Sequence, residues 1–93
     1  MTNASLRAAN LFHASLPRAD LTNANVRDAQ LGGIDLTDAT LSNAFLPGAD
    51  LSSANLTNAE LTGANLIQAN LTGANLTGAN LTSADLQVAD LSN

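Results

Sequence analysis

A leucine returns at every fifth residue from Leu6 to Leu91, with Val26 the one replacement, and that period admits very few folds. Two residues before each of these centres stands an alanine, from Ala4 to Ala89, with Ile34 the one exception. In a helix, at roughly 100° per residue, successive leucines would advance by about 140° and wind around the axis, leaving no apolar stripe. A flat strand alternates its faces with period two, so an odd spacing sends consecutive leucines to opposite sides. The chain must therefore turn within every repeat. Inside one repeat the Ala and the Leu are two residues apart, so a short extended piece points both inward while the residue between them points out.

Eighteen repeats keep this register. Just before the centre 12 of 18 positions are Asn or Asp, and just after it 10 of 18 are Ser or Thr, so the repeat reads Ala-Asn/Asp-Leu-Thr/Ser-x. The outward residues have corner chemistry: Gly tolerates positive φ, and Asn, Asp and Ser bond to nearby backbone. A bend of about a quarter turn per repeat closes a square, and coils stacked at about 4.8 Å pair their main chains as any sheet does. Leu11, Leu31, Leu51 and Leu71, with Ala49 and Ala69, are representative of the expected core. Ile34 puts a large residue into an alanine slot, and the preceding Gly32 and Gly33 are expected to let the backbone shift around it. Pro17 and Pro47 follow a centre, where their fixed φ suits a corner and the ladder must not need their missing donor.

The Ala-Asn-Leu-Thr-Gly runs between Ala64 and Gly78 closely resemble the pentapeptide-repeat family, and the resemblance covers essentially the whole chain. It implies an all-β fold, a right-handed quadrilateral β-helix, which is a solenoid with four pentapeptides per coil. Eighteen repeats then make about 4.5 coils in a single domain over 1–93, with no interrupting loop and no capping helix.

Charge and residue inventory exclude several functions. A net charge of −5 with three Arg and no Lys argues against direct nucleic-acid binding, which needs a clustered basic surface. With no cysteine there is neither a disulfide framework nor a thiolate metal site. His13 is the only histidine and Tyr is absent, so no catalytic residue is assigned and the chain is expected not to be an enzyme. His13 projects outward beside Phe12 and is read as a solvated side chain. Gly73 and Gly78 are repeat corners and lack the strand-loop-helix context of a phosphate loop. No cofactor is expected, and no metal either, since Asp35 and Asp38 form a single carboxylate pair without further ligands. Arg7 and Arg18 interrupt any apolar run, so no leader or membrane span is read and a cytoplasmic location is the default.

Four repeats per coil would place residues 20 apart above one another and define four sides. Asp28 and Asp85 fall on the first, Asp50 and Asp90 on the second, Asp35 and Asp38 on the third, Asp20 and Glu60 on the fourth. The family resemblance raises an alternative, a quinolone-resistance-like protein that mimics DNA and inhibits DNA gyrase. Two carboxylates per side fall short of the duplex charge density of about one per 1.7 Å of axis, and no loops or dimer helix of that kind are seen. A second alternative is an ice- or water-ordering surface, from Thr37, Thr57 and Thr77 on one side and Thr22, Ser42, Thr62 and Thr82 on another.

The leading reading is a non-enzymatic structural or protein-interaction scaffold. Phe45, Pro47, Ile67 and Val88 share the first side, with Phe45, Ile67 and Val88 expected within about 5 to 10 Å of one another along successive coils. This strip is the candidate surface for an unidentified protein partner, and scattered surface hydrophobes are the competing explanation. The open coil ends, which expose main-chain groups and leucine, suggest self-association through an end.

Overall fold

A computed structural model describes residues 1–93. Its sheet topology is one relation repeated: residue n bridges residue n+20 in parallel, from Ser5 with Asn25 through to Asn70 with Asp90. Each bridged residue is the one before a centre, so four five-residue steps complete one coil and the cross-section is a square. The molecule measures 29 × 26 × 25 Å.

Each corner is a four-residue turn that begins on the centre. In the repeat of Leu46, the Ala49 N–H donates to the Leu46 carbonyl at 3.1 Å, closing the turn over Pro47 and Gly48. Only the second of the two central residues has positive φ, +66° at Gly48, which is the type II arrangement and explains why Pro fits before it. The same positive φ recurs at 18 corners, of which 13 are not glycine, Ala8, Gln68 and Val88 among them. Most L residues resist this region by about 1 to 2 kcal/mol, so the stacked coils impose it.

Three ladder hydrogen bonds per repeat join one coil to the next. Val26 N–H donates to Phe45 C=O at 2.7 Å and Asp28 N–H to Pro47 C=O at 3.1 Å, while Phe45 N–H donates back to Ala24 C=O at 2.9 Å. Two of the three N–H groups point toward the C-terminal end and one toward the N-terminal end, so the ladder has a fixed sense.

Those bonds and the turn leave one amide per repeat unpaired, that of the residue just after the centre. The Asn or Asp two residues before it receives that amide. Thr72 N–H donates to Asn70 Oδ1 at 3.0 Å and Ile67 N–H to Asn65 Oδ1 at 3.1 Å. The clasp forms at all 12 repeats that carry Asn or Asp there. This is the physical reason for the preference: a backbone donor that the fold cannot otherwise satisfy.

The interior is a shaft of leucine and alanine. Leu31, Leu51, Leu71, Ala49 and Ala69 are each at most 2% exposed, whereas Leu11 is only partly buried because a coil covers it on one side alone. Ile34 is 1% exposed in its alanine slot. Gly33 takes the same corner conformation as its counterparts, with φ +65°, so the paired glycines do not bend the wall around Ile34. They make room for the coil below: a Cβ on Gly32 would stand 2.8 Å from the Phe12 ring, and one on Gly33 would run into the His13 ring.

Candidate interaction surface

On the first side, Phe45 lies between Asn25 and Asn65 in the bridge column. Pro47 and Ile67 stack in the next column, where Gly48 N–H donates to Ile67 C=O at 2.9 Å. Val88 stands one coil above Gln68, whose N–H reaches Gln87 C=O at 2.9 Å, and so sits diagonally beyond Ile67. The four residues share one side. Phe45 is 40% exposed and Val88 81%, while Pro47 and Ile67 are half-buried against the wall.

Phe45 is the one residue in its column position with an apolar side chain, and it can offer no clasp to the amide two residues on. That residue is Pro47, which has no amide hydrogen. The exposed aromatic ring therefore costs the wall no unsatisfied donor.

A second apolar patch lies on the adjoining side, where none was expected. Phe12 is 59% exposed and packs over Gly32, with the His13 ring tilted against it at a centroid distance of 4.0 Å. The signal was the Gly32-Gly33 pair 20 residues later, two missing side chains under two rings.

The rest of the surface is a polar lattice. Asn55 Nδ2 donates to Thr37 Oγ1 at 2.9 Å, and Thr37 Oγ1 donates to Asp35 Oδ1 at 2.6 Å. One coil higher, Asn75 Nδ2 reaches Thr57 Oγ1 at 3.1 Å, and Thr57 Oγ1 reaches Asn55 Oδ1 at 2.6 Å. These threonine hydroxyls both give and receive within the wall, which leaves them little capacity to organise a water layer. Carboxylates are interleaved with amides in the same way: Asn58 donates to Asp38 at 3.2 Å, Asn70 to Asp50 at 3.1 Å, and Asn80 to Glu60 at 2.9 Å, each from 20 residues on. No acid stands on an acid. The Thr37 hydroxyl, then the Thr37 amide, hold the Asp35 carboxyl below its ordinary value, and the Thr62 hydroxyl with Asn80 does the same for Glu60.

The family model "Pentapeptide repeats" matches residues 1–38, 34–73 and 59–93 with 8 copies. The chain belongs to the pentapeptide-repeat family. Its square coil is accordingly the right-handed quadrilateral β-helix of that family. A pentapeptide-repeat protein from the Arabidopsis thaliana thylakoid lumen is 33% identical, with a TM-score of 0.77, over 91% of this chain and 63% of that one. One from Nostoc is 33% identical with a TM-score of 0.50, over 85% of this chain and 78% of that one. QnrB1, a plasmid-mediated fluoroquinolone resistance protein, is 18% identical with a TM-score of 0.57, over 96% of this chain and 54% of that one, a likeness of fold alone. This pentapeptide-repeat chain thus spans a little under two thirds of the Arabidopsis protein and about half of QnrB1. Comparison with curated protein sequences returns no match. No helix is long and apolar enough to cross a membrane.

Proposed function

We propose that this pentapeptide-repeat chain is a non-enzymatic scaffold that binds a protein partner on its first side, through Phe45, Pro47, Ile67 and Val88. The observation that carries this reading is the pairing of Phe45 with Pro47. At each of the 12 repeats with Asn or Asp an outward apolar group would forfeit a clasp, and here the donor has been removed together with the acceptor. An apolar strip held at no cost in backbone hydrogen bonding is suited to docking. The groups that could otherwise do chemistry support the non-enzymatic reading: the hydroxyls of Thr37, Thr57 and Thr82 and the carboxylates of Asp35, Asp38, Asp50 and Glu60 are tied into the wall lattice, and His13 rests on Phe12. The interleaving of acids with amides weighs against a DNA-like acidic stripe.

The test compares the intact chain with a Phe45→Ala, Ile67→Ser variant in quantitative capture of partner proteins, after circular dichroism shows both folded. A protein retained by the first and lost by the second supports the strip. Equal retention by both removes it, and inhibition of DNA gyrase supercoiling by the intact chain would replace the scaffold reading with the mimic.

A further inference from the structure

The first side carries three kinds of chemistry in order along the tower axis. Its bridge column reads Ser5, Asn25, Phe45, Asn65, Asp85. Its corner column reads Arg7, Arg27, Pro47, Ile67, Gln87, kept in register by ladder bonds such as Ala8 N–H to Arg27 C=O and Gly48 N–H to Ile67 C=O, both at 2.9 Å. Two of the three arginines of the chain thus stand low on this side, the apolar strip lies in the middle and an acid stands high. Arg27 is already paired with its neighbour Asp28 at 3.3 Å, which leaves Arg7 as the cation of this side with no carboxylate beside it. Phe45 and Pro47 occupy the third of the five levels, so the sequence of chemistries is centred on them.

We propose that the partner of this side is a second copy of this chain, the two towers lying antiparallel with their first sides face to face; the proposal rests on the reading of the strip as a docking surface. A two-fold axis across the side at the height of Phe45 returns each column to itself upside down. Phe45 then meets Phe45, Pro47 meets Pro47, and Ile67 covers the aliphatic stem of Arg27. The Arg7 guanidinium falls beside Asp85 of the second copy, twice in the dimer, and Asp28 faces the Gln68 amide. No charge meets its like. Parallel towers would instead bring each level to its own copy, setting Arg7 near Arg7 and Asp85 near Asp85, so charge selects the antiparallel arrangement. The contact is isologous and closes at two chains. One side of a body measuring 29 × 26 × 25 Å is comparable to the roughly 800 Å² per partner of a standard interface, so pairing depends on concentration. Its ionic part weakens as salt shortens the screening length to about 10 Å at 0.1 M.

Sedimentation equilibrium over a concentration series tests this on residues 1–93, with each variant first shown folded by circular dichroism. The parent is expected to pass from one chain to two, and Phe45→Ala with Ile67→Ser is expected to abolish the second. Arg7→Glu and Asp85→Lys are each expected to raise the dissociation constant about tenfold, since two exposed ion pairs become two repulsions. Both substitutions in one chain restore opposite charges at both contacts and are expected to bring the constant back to within about threefold of the parent. A parent still monomeric at about 1 mM overturns the proposal. The strip itself falls only if capture of other proteins is also unchanged by Phe45→Ala with Ile67→Ser. A dimer indifferent to those two substitutions overturns the proposal as well, by placing self-association on another surface. So do single charge variants that pair as tightly as the parent, the outcome of parallel towers, or a double variant no tighter than the single ones.

Discussion

Pro47 lacks the amide hydrogen that Phe45, two residues earlier, has no oxygen to receive. Each residue taken alone departs from the repeat, and together they restore its hydrogen-bond balance. Pro17, two residues after Ser15 in the first coil, likewise removes the donor that would need a clasp, although Ser15 keeps a hydroxyl oxygen.

This coupling is measurable. Pro47→Thr alone reinstates an amide opposite an aromatic ring and frees the corner in the unfolded chain, and is expected to cost about 0.5 to 1 kcal/mol. Phe45→Asn with Pro47→Thr rebuilds the clasp and is expected to recover most of that loss. Urea unfolding of the four members of the cycle gives the coupling directly, and additive effects would show that the two residues act separately.

The clasp itself makes a prediction at ordinary repeats. Asn70→Ala strands the Thr72 amide and removes the hydrogen bond to Asp50, and is expected to destabilise by about 1 kcal/mol. Gln30, in the same column, clasps nothing, and Gln30→Ala is expected to stay within about 0.5 kcal/mol of the parent. Equal losses in the urea midpoint would refute the clasp as the reason for Asn and Asp.

Acid should loosen the wall in a defined window. Asp20 and Asp35 are held below their ordinary values first by the hydroxyls of Thr22 and Thr37, Glu60 by that of Thr62, and Asp90 first by the Ser92 amide. A carboxyl whose folded pKa is depressed contributes stability above its unfolded value, and that contribution is lost as pH falls through the folded one. The melting temperature is therefore expected to hold steady down to about pH 4 to 5 and to drop below it. In an Asp35→Asn, Glu60→Gln variant the drop should be shallower, and a parallel drop would locate the acid response elsewhere.

Position along the shaft should set the cost of a cavity. Leu51 is fully enclosed, and Leu51→Ala is expected to cost about 2 to 5 kcal/mol. Leu11 has a coil on one side only, and Leu11→Ala should cost clearly less. Hydrogen exchange should show faster opening confined to the first coil in the second variant, whereas global loss of protection in both would indicate a tower that opens as one unit.

Much of this was legible in the sequence because period, core and hydrogen-bond needs coincide in each repeat. The spacing of Leu6 through Leu91 dictated an inward turn per quintet, and the partial exposure of Leu11 is the ordinary consequence of having a neighbour on one side. The corners were less legible. Composition pointed to glycine for positive φ, yet Ala8, Gln68 and Val88 adopt it, because register between coils outweighs local preference. Gly32 and Gly33 were misread as serving Ile34 in their own coil, when the residues they accommodate, Phe12 and His13, are 20 positions earlier. Contacts along the axis link residues far apart in sequence, and there a reading by neighbours fails. The placement of Phe45, Pro47, Ile67 and Val88 on one side follows from the 20-residue relation, whereas binding depends on the chemistry of another molecule, which no repeat encodes.

The 20-residue relation also governs how such a chain can change length. Insertion or loss of whole coils would lengthen or shorten the tower and leave every column aligned. Loss of a single quintet between Pro47 and Ile67 would rotate all that follows by a quarter turn, carrying Ile67 and Val88 around the edge and out of Phe45's plane. Drift in repeat number is thus geometrically silent in multiples of four and disruptive otherwise.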